Sequence, residues 1–268
     1  MRPLAEIAAL LTIVAAVIAS AAPAVAGVPA AQVKTVEAAP APNAMLPLEL
    51  GFLDETGRAV TLGKAIGQLP AAVIFADYTC RTLCGPVLEF ATDGLAKTGL
   101  KPGVDYRLVV IGIDPRDGLA AARTMRAKHI DGTSPINQAT TFLSGRDAEI
   151  HAVTQAAGLH YYYDSEHDQF AHPAAVYVVD PGGHVRRVLS PLGLDGADLR
   201  LAIIDAGRGA VGTLADRIHL LCYGYDPVKG IYTERITTLL SIAAAITLLV
   251  LALGILTMVA REKRKVPS

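Results

Sequence analysis

Charge of neither sign dominates this chain. Its 24 lysines and arginines face 25 aspartates and glutamates, for a formal net charge of -1, so it carries no nucleic-acid signature. No internal repeat is present, which excludes a solenoid or an array. Cysteine is scarce, at three residues, and none lies near the N-terminal apolar segment, which argues against a lipoprotein. Gly27 to Ala44 is rich in Ala and Pro and short of large apolar residues, the composition of a flexible spacer. Charge is missing altogether from Ile236 to Ala260.

That uncharged stretch is long enough to matter. At a rise of ~1.5 Å per residue it reaches roughly 37 Å as a helix, against a hydrocarbon core of about 30 Å. Arg261, Lys263, Arg264 and Lys265 follow at once, and the positive-inside rule places them in the cytoplasm. At the other end, Met1 to Ala26 has the form of a secretory signal. Arg2 supplies the charge, Ile7 to Ala19 the apolar stretch, and Ala24-Val25-Ala26 a small-residue cleavage pattern. An uncleaved N-terminal anchor is the alternative. Both ends predict the same topology: a domain on the periplasmic face of the inner membrane, held by one C-terminal transmembrane helix at 236–260. The two apolar ends inflate the hydrophobic fraction of 52%, which therefore says little about the core. Thiols in such a compartment need a metal, a reductant or a disulfide.

Between the ends, residues 45–209 are long enough for one α/β core. Leu48 to Phe52 and Ala59 to Leu62 flank Asp54-Glu55-Thr56-Gly57, a hairpin signal. Ala71 to Phe75 is an apolar run that reads as a buried strand, and Tyr106 to Ile113 reads as a second buried strand. Thr141 to Leu143 is a short strand. Ala174 to Val179 and His184 to Leu189 flank the turn Pro181-Gly182-Gly183. Helices are expected at Val87 to Ala96, Gly118 to His129, Arg146 to Ala157 and Ala197 to Ala206. Strands and helices alternate first, and a hairpin plus helix closes the domain. That order predicts a thioredoxin-like fold, followed by a pre-membrane segment at 210–235, the span, and a basic tail at 261–268.

The chemistry-bearing feature is Cys80-Arg81-Thr82-Leu83-Cys84, between the Ala71 strand and the first long helix. Residues i and i+4 share a helix face, so both sulfurs can serve one ligand. A disulfide is within reach if the first turn is irregular. Two soft thiolates suit Cu(I), with a third ligand from elsewhere completing a trigonal site. Arg81 and the nearby helix N-terminus favour thiolate over thiol. A structural disulfide, or two buried thiols, is the plainer reading.

Three landmarks in order resemble the SCO/SenC family, thioredoxin-fold copper proteins of cytochrome c oxidase assembly. Cys80-x-x-x-Cys84 follows a strand. Ile111-Gly112-Ile113-Asp114-Pro115-Arg116-Asp117 is similar to the family's strand-ending "V/I-D-P-x-R-D". His172 stands eight residues before Asp180 in Val178-Val179-Asp180-Pro181-Gly182-Gly183, where the family has its metal-binding His ahead of a strand and a "D-P-x-G" turn. Phe142-Leu143-Ser144-Gly145 resembles the family's "L-T-G". The resemblance runs from about Leu48 to Ala206. It departs from the common pattern at Arg81, at Gly85 before Pro86, and at Pro173, but leaves Cys80, Cys84 and His172 in place.

The resemblance implies a copper chaperone that holds Cu(I) or Cu(II) through Cys80, Cys84 and His172. It would deliver the ion to the binuclear copper site of an oxidase subunit, with a copper donor or a thiol reductant as further partner. A thiol-disulfide oxidoreductase, with Cys80 attacking and Cys84 resolving, is the alternative. A peroxiredoxin-like peroxidase fits the close cysteine pair less well. Asp114 is expected to cap its Asp-Pro turn, or else to orient a ligand. His160, Asp164, Glu166, His167 and Asp168 crowd the loop before His172. They read as a solvated polar loop, with a secondary metal site as the other possibility. Cys222, fourteen residues before the span, is the odd thiol, open to metal, exchange or an intermolecular disulfide.

Overall fold

The computed structural model describes residues 36–165, 168–191 and 194–207, two backbone strands at 223–226 and 231–234, and residues 246, 247 and 250. The signal at 1–26, most of the span at 236–260, the basic tail, Glu166, His167 and Cys222 lie outside the described residues. Among the described residues no helix is long and apolar enough to cross a membrane.

The elements run β1 (Glu37–Ala38), β2 (Gly51–Asp54), β3 (Ala59–Thr61), α1 (Leu62–Ile66), β4 (Ala71–Ala76), α2 (Cys84–Lys97), β5 (Arg107–Gly112) and α3 (Leu119–His129). They continue with α4 (Pro135–Gln138), β6 (Thr140–Ser144), α5 (Asp147–Ala156), β7 (Leu159–His160), β8 (Tyr162–Asp164), β9 (Gln169–Ala171), β10 (Val176–Val179), β11 (Val185–Leu189) and α6 (Gly196–Ala206). Beyond the domain, β12 (Tyr223–Asp226) pairs antiparallel with β13 (Ile231–Glu234).

Seven strands form one sheet in the order β11-β10-β4-β5-β6-β2-β3. Its centre, β4-β5-β6, is parallel, and β10 and β2 join it antiparallel on either side. Parallel strands need cover on both faces, and the sequence of β4 supplies it. All six of its residues are buried, and they alternate between two cores. Ala72, Ile74 and Ala76 pack with α2, α3 and α6, while Ala71, Val73 and Phe75 pack with α1 and α5. Leu108 and Val110 of β5 join the first core and Val109 and Ile111 the second, so strand period alone sorts the side chains. The result is the mixed α/β, three-layer arrangement of a thioredoxin-like domain.

Two expectations change. Residues 36–44 are not a free spacer. Glu37 and Ala38 pair with His160 and Leu159, the Ala39 amide donates to the Gly158 carbonyl, and Ala44 is buried. Small side chains let this segment lie flat on the domain: a Cβ at Gly158 would stand 2.3 Å from the Ala39 carbonyl oxygen, and Gly158 has φ +64°. The second change concerns α2, which begins at Cys84 rather than Val87, because Pro86 tolerates the first turn, where its missing N–H costs nothing.

Candidate functional site

The second cysteine, and not the first, is helical. Cys84 opens α2, while Cys80 lies in the loop before it, so a shared helix face does not bring them together. The loop does. Its first turn is closed by the Cys80 amide on the Asp77 carbonyl at 3.2 Å.

Asp77 carries most of the positioning. It is fully buried at the end of β4. Its Oδ1 accepts from the Thr79 amide at 2.9 Å and the Thr79 hydroxyl at 3.0 Å, and its Oδ2 accepts from the Phe170 amide at 3.1 Å. One carboxylate thus fixes the cysteine loop and also holds β9, the strand that leads to His172. A second tie runs through the Asp-Pro loop. Asp117 Oδ2 accepts from the Tyr78 amide at 2.7 Å, and burial raises the Asp117 carboxyl to about 6. Asp114 caps its turn, accepting from the Arg116 amide at 2.8 Å, and also grips the Arg116 guanidinium. Arg116 then reaches the β8–β9 arm, donating to Asp168 at 2.9 Å and lying 4.9 Å from the centre of the Tyr163 ring. Asp168 adopts φ 50°, a left-handed turn conformation that Asp tolerates, and accepts from the Tyr163 hydroxyl at 2.6 Å.

These ties deliver the imidazole to the thiols. His172 Nε2 is 3.2 Å from Cys84 Sγ. Its Nδ1 is 3.1 Å from the Pro173 carbonyl, which only an N–H can satisfy, so the Nε2 lone pair faces the sulfur. Burial lowers the His172 pKa and keeps the ring neutral. Cys80 Sγ lies 3.4 Å from Thr82 Oγ1 and 3.9 Å from Gln169 Oε1. A cleft of about 250 Å³ runs past Cys80, Cys84, His172, Gln169 and Asp164.

The two thiols differ in charge. Cys80 is held down to about 4, chiefly because the Cys84 thiol donates to it, with Thr82 assisting. Cys84 is pushed far up by that same hydrogen bond and then by burial. Its place at a helix N-terminus does not make it a thiolate, because the Cys80 charge and the apolar surroundings win. Cys80 is therefore the more acidic thiol and Cys84 the one that keeps its proton, and neither is in a disulfide.

The remaining candidates separate. His160 sits on the β1–β7 ladder near Glu37, Asp164 lines the cleft, and Asp168 is spent on Arg116. Among the described residues no group of three or more His, Cys, Asp or Glu side chains is placed to hold a metal ion, Cys80, Cys84 and His172 included. Cys84 and His172 are in contact, and Cys80 lines the same cleft. Gly85, which parts Cys84 from Pro86, also has a local cause. A Cβ there would lie 2.3 Å from the His129 ring, which is packed on the first turn of α2 and bonded through Nδ1 to Glu89 at 2.7 Å. The sequence had assigned no role to Asp77, Arg116, Gln169 or His129. The signal available for Asp77 was a carboxylate closing an all-apolar strand.

The family model of SCO1/SenC matches residues 41–200, more than half of the 268. The chain belongs to the SCO1/SenC family. Among solved structures, this SCO1/SenC chain resembles a protein of Aquifex aeolicus VF5 described as a candidate electron transfer protein. That match has 18% identity, covers 62% of this chain and 94% of the other, and has a TM-score of 0.55. A candidate electron transport protein of the same organism matches at 17% identity over 62% and 98%, with a TM-score of 0.51. Bradyrhizobium japonicum ScoI with copper bound matches at 21% identity over 63% and 99%, with a TM-score of 0.46. No curated protein matches the sequence. The two Aquifex aeolicus likenesses support the fold.

Two outcomes follow from the geometry. Alkylation of Cys80 by iodoacetamide should proceed at an almost constant rate between about pH 6 and 8 and fall through about pH 4, with Cys84 unmodified in the folded chain. A rate that climbs tenfold per pH unit across that range would contradict the thiolate assignment. Asp77→Ala strands the Thr79 and Phe170 amides at a cost of about 1–3 kcal/mol each. Hydrogen exchange at Thr79 and Phe170 should quicken together; unchanged exchange at Phe170 would show that β9 is held by something else.

Proposed function

We propose that this protein is a copper chaperone of cytochrome c oxidase assembly, taking Cu(I) as its cargo on Cys80, Cys84 and His172. The observation that carries the proposal is the contact between Cys84 and His172, with the Nε2 lone pair turned to the sulfur. Membership of the family supports it.

The donor set fits the ion. Two sulfurs and one imidazole are the soft set that suits Cu(I), and the neutral ring needs no deprotonation before it donates. Cys80 is already ionised, and Cys84 gives up its proton on loading, as metal binding to thiols requires. Cys80 would leave its Thr82 contact to complete the set. Delivery follows by ligand exchange. A thiolate of the receiving subunit enters at the half-exposed Cys80 while Cys84 and His172 still hold the ion. The binuclear copper site of an oxidase subunit is the receiver in this reading. The chain would work from the periplasmic face of the inner membrane, anchored by residues 236–260.

One observation favours a second reading, thiol-disulfide exchange. An accessible low-pKa thiolate backed by a buried thiol is the arrangement of an attacking and a resolving cysteine. The imidazole separates the two. For the copper chaperone, Cys80→Ser, Cys84→Ser and His172→Ala each lose Cu(I) retention by more than about tenfold and fail to complement an oxidase-assembly defect at limiting copper. His172→Ala still reduces a model disulfide. Full complementation by His172→Ala, with both cysteine variants dead, would replace the chaperone by the reductase.

A further inference from the structure

Cys80 borders two cavities, and they differ in kind. The cleft already described contains Cys84, His172 and the Asp164 carboxylate, and no Lys or Arg. A second cavity, of about 450 Å³, lies between the cysteine loop and α3. Thr79, Cys80 and Arg81 form one wall, and Thr124, Met125, Lys128 and His129 the other. Its lining has two cations and no carboxylate, in a chain whose charges otherwise balance. Among the described residues neither Arg81 nor Lys128 has an ion pair within 4 Å, as is also the case for Lys64, Lys97 and Lys101, and the nearest acidic influence on Arg81 is Asp168, which is itself paired with Arg116. Cys84 does not line this cavity. Of the two cysteines, Cys80 alone lines it.

We propose that this cavity is the docking site of an anionic thiol, a small molecule bearing a carboxylate beside its –SH, that reduces a Cys80–Cys84 disulfide. The proposal rests on the copper reading in one respect, that oxidised thiols must be reopened before they can hold the ion. The separation of the cavities decides which sulfur is attacked. The reductant thiolate, R–S⁻, attacks Cys80 Sγ. The Cys80–Cys84 bond breaks, and its electron pair leaves on Cys84, which takes up a proton beside His172. The R–S–S–Cys80 mixed disulfide is then attacked on the reductant's sulfur by a second R–S⁻. This releases R–S–S–R and the Cys80 thiolate, so two thiols supply the two electrons and balance the reduction. Arg81 and Lys128 would hold the carboxylate and leave the cleft on the other side free for the cation. A charged pocket beside the reacting atom chiefly raises the encounter rate, and salt weakens it.

The full-length protein, oxidised to the Cys80–Cys84 disulfide, tests this with three probe thiols: mercaptosuccinate, 2-mercaptoethanol and cysteamine. Reduction rates are compared per unit of thiolate at low and high salt. Mercaptosuccinate should outpace cysteamine by about tenfold at low salt, the gap closing at high salt. Lys128→Glu should abolish or invert that order, slowing mercaptosuccinate far more than 2-mercaptoethanol, whose thiolate carries a single charge, and should leave the melting temperature unchanged. Thr124→Glu, which brings the same charge from another rim position, should repeat the effect. Absence of any order in the wild type, an order that both variants preserve, or failure of the two cysteines to form a disulfide would overturn the proposal. Cu(I) retention by the reduced protein is measured on the same preparations. Loss of retention in the wild type would sink the copper reading and leave the thiol ranking to decide the cavity on its own.

Discussion

Everything in the site hangs on how one buried carboxylate spends its two oxygens. Asp77 gives Oδ1 to the cysteine loop and Oδ2 to the strand before His172. These two segments are far apart in sequence, and no ladder of the main sheet joins them. A carboxylate buried without partners would be prohibitively costly, so the three donors must be present together. That requirement turns a loop and a short hairpin into one rigid unit, with the Asp114–Arg116–Asp168 chain bracing it from the solvent side.

The same rigidity accounts for the unequal thiols. Cys84 is buried against the core at the start of α2, where an ionised sulfur is disfavoured, and its sulfur faces the Nε2 lone pair of a neutral imidazole. Cys80, in the loop, takes the charge. Function then divides between them: a half-exposed, ionised thiolate that entering groups can reach, and a buried thiol–imidazole pair that retains what has entered. The division explains why the arrangement can serve both metal transfer and thiol exchange, and why the imidazole separates the two.

Much of this was legible in the sequence where a single physical rule dominates. The apolar runs at 71–76 and 108–111 read as strands buried on both faces, and the alternation of strands with helices ordered them correctly. The Cys-x-x-x-Cys spacing and His172 stood out as soft donors, and the order of the landmarks assigned the family. Short elements were not legible. The five-residue α1 and the two- and three-residue strands β1, β7, β8 and β9 have no periodicity of their own, and form only because the rest of the domain offers them partners. For the same reason residues 36–44 looked like a spacer. The geometry of the cysteine pair was read from helical spacing, yet it is set by Asp77. Nothing in a linear sequence distinguishes a carboxylate that grips a strand 93 residues away from one that merely ends a strand.

The central claim is that Cys80, Cys84 and His172 hold one copper ion together. X-ray absorption at the copper edge of the full-length, reduced, Cu(I)-loaded protein tests it most directly. The account predicts two sulfur scatterers and one imidazole nitrogen in the inner shell, with the imidazole signature lost in His172→Ala. A spectrum with sulfur alone, unchanged by His172→Ala, would contradict it.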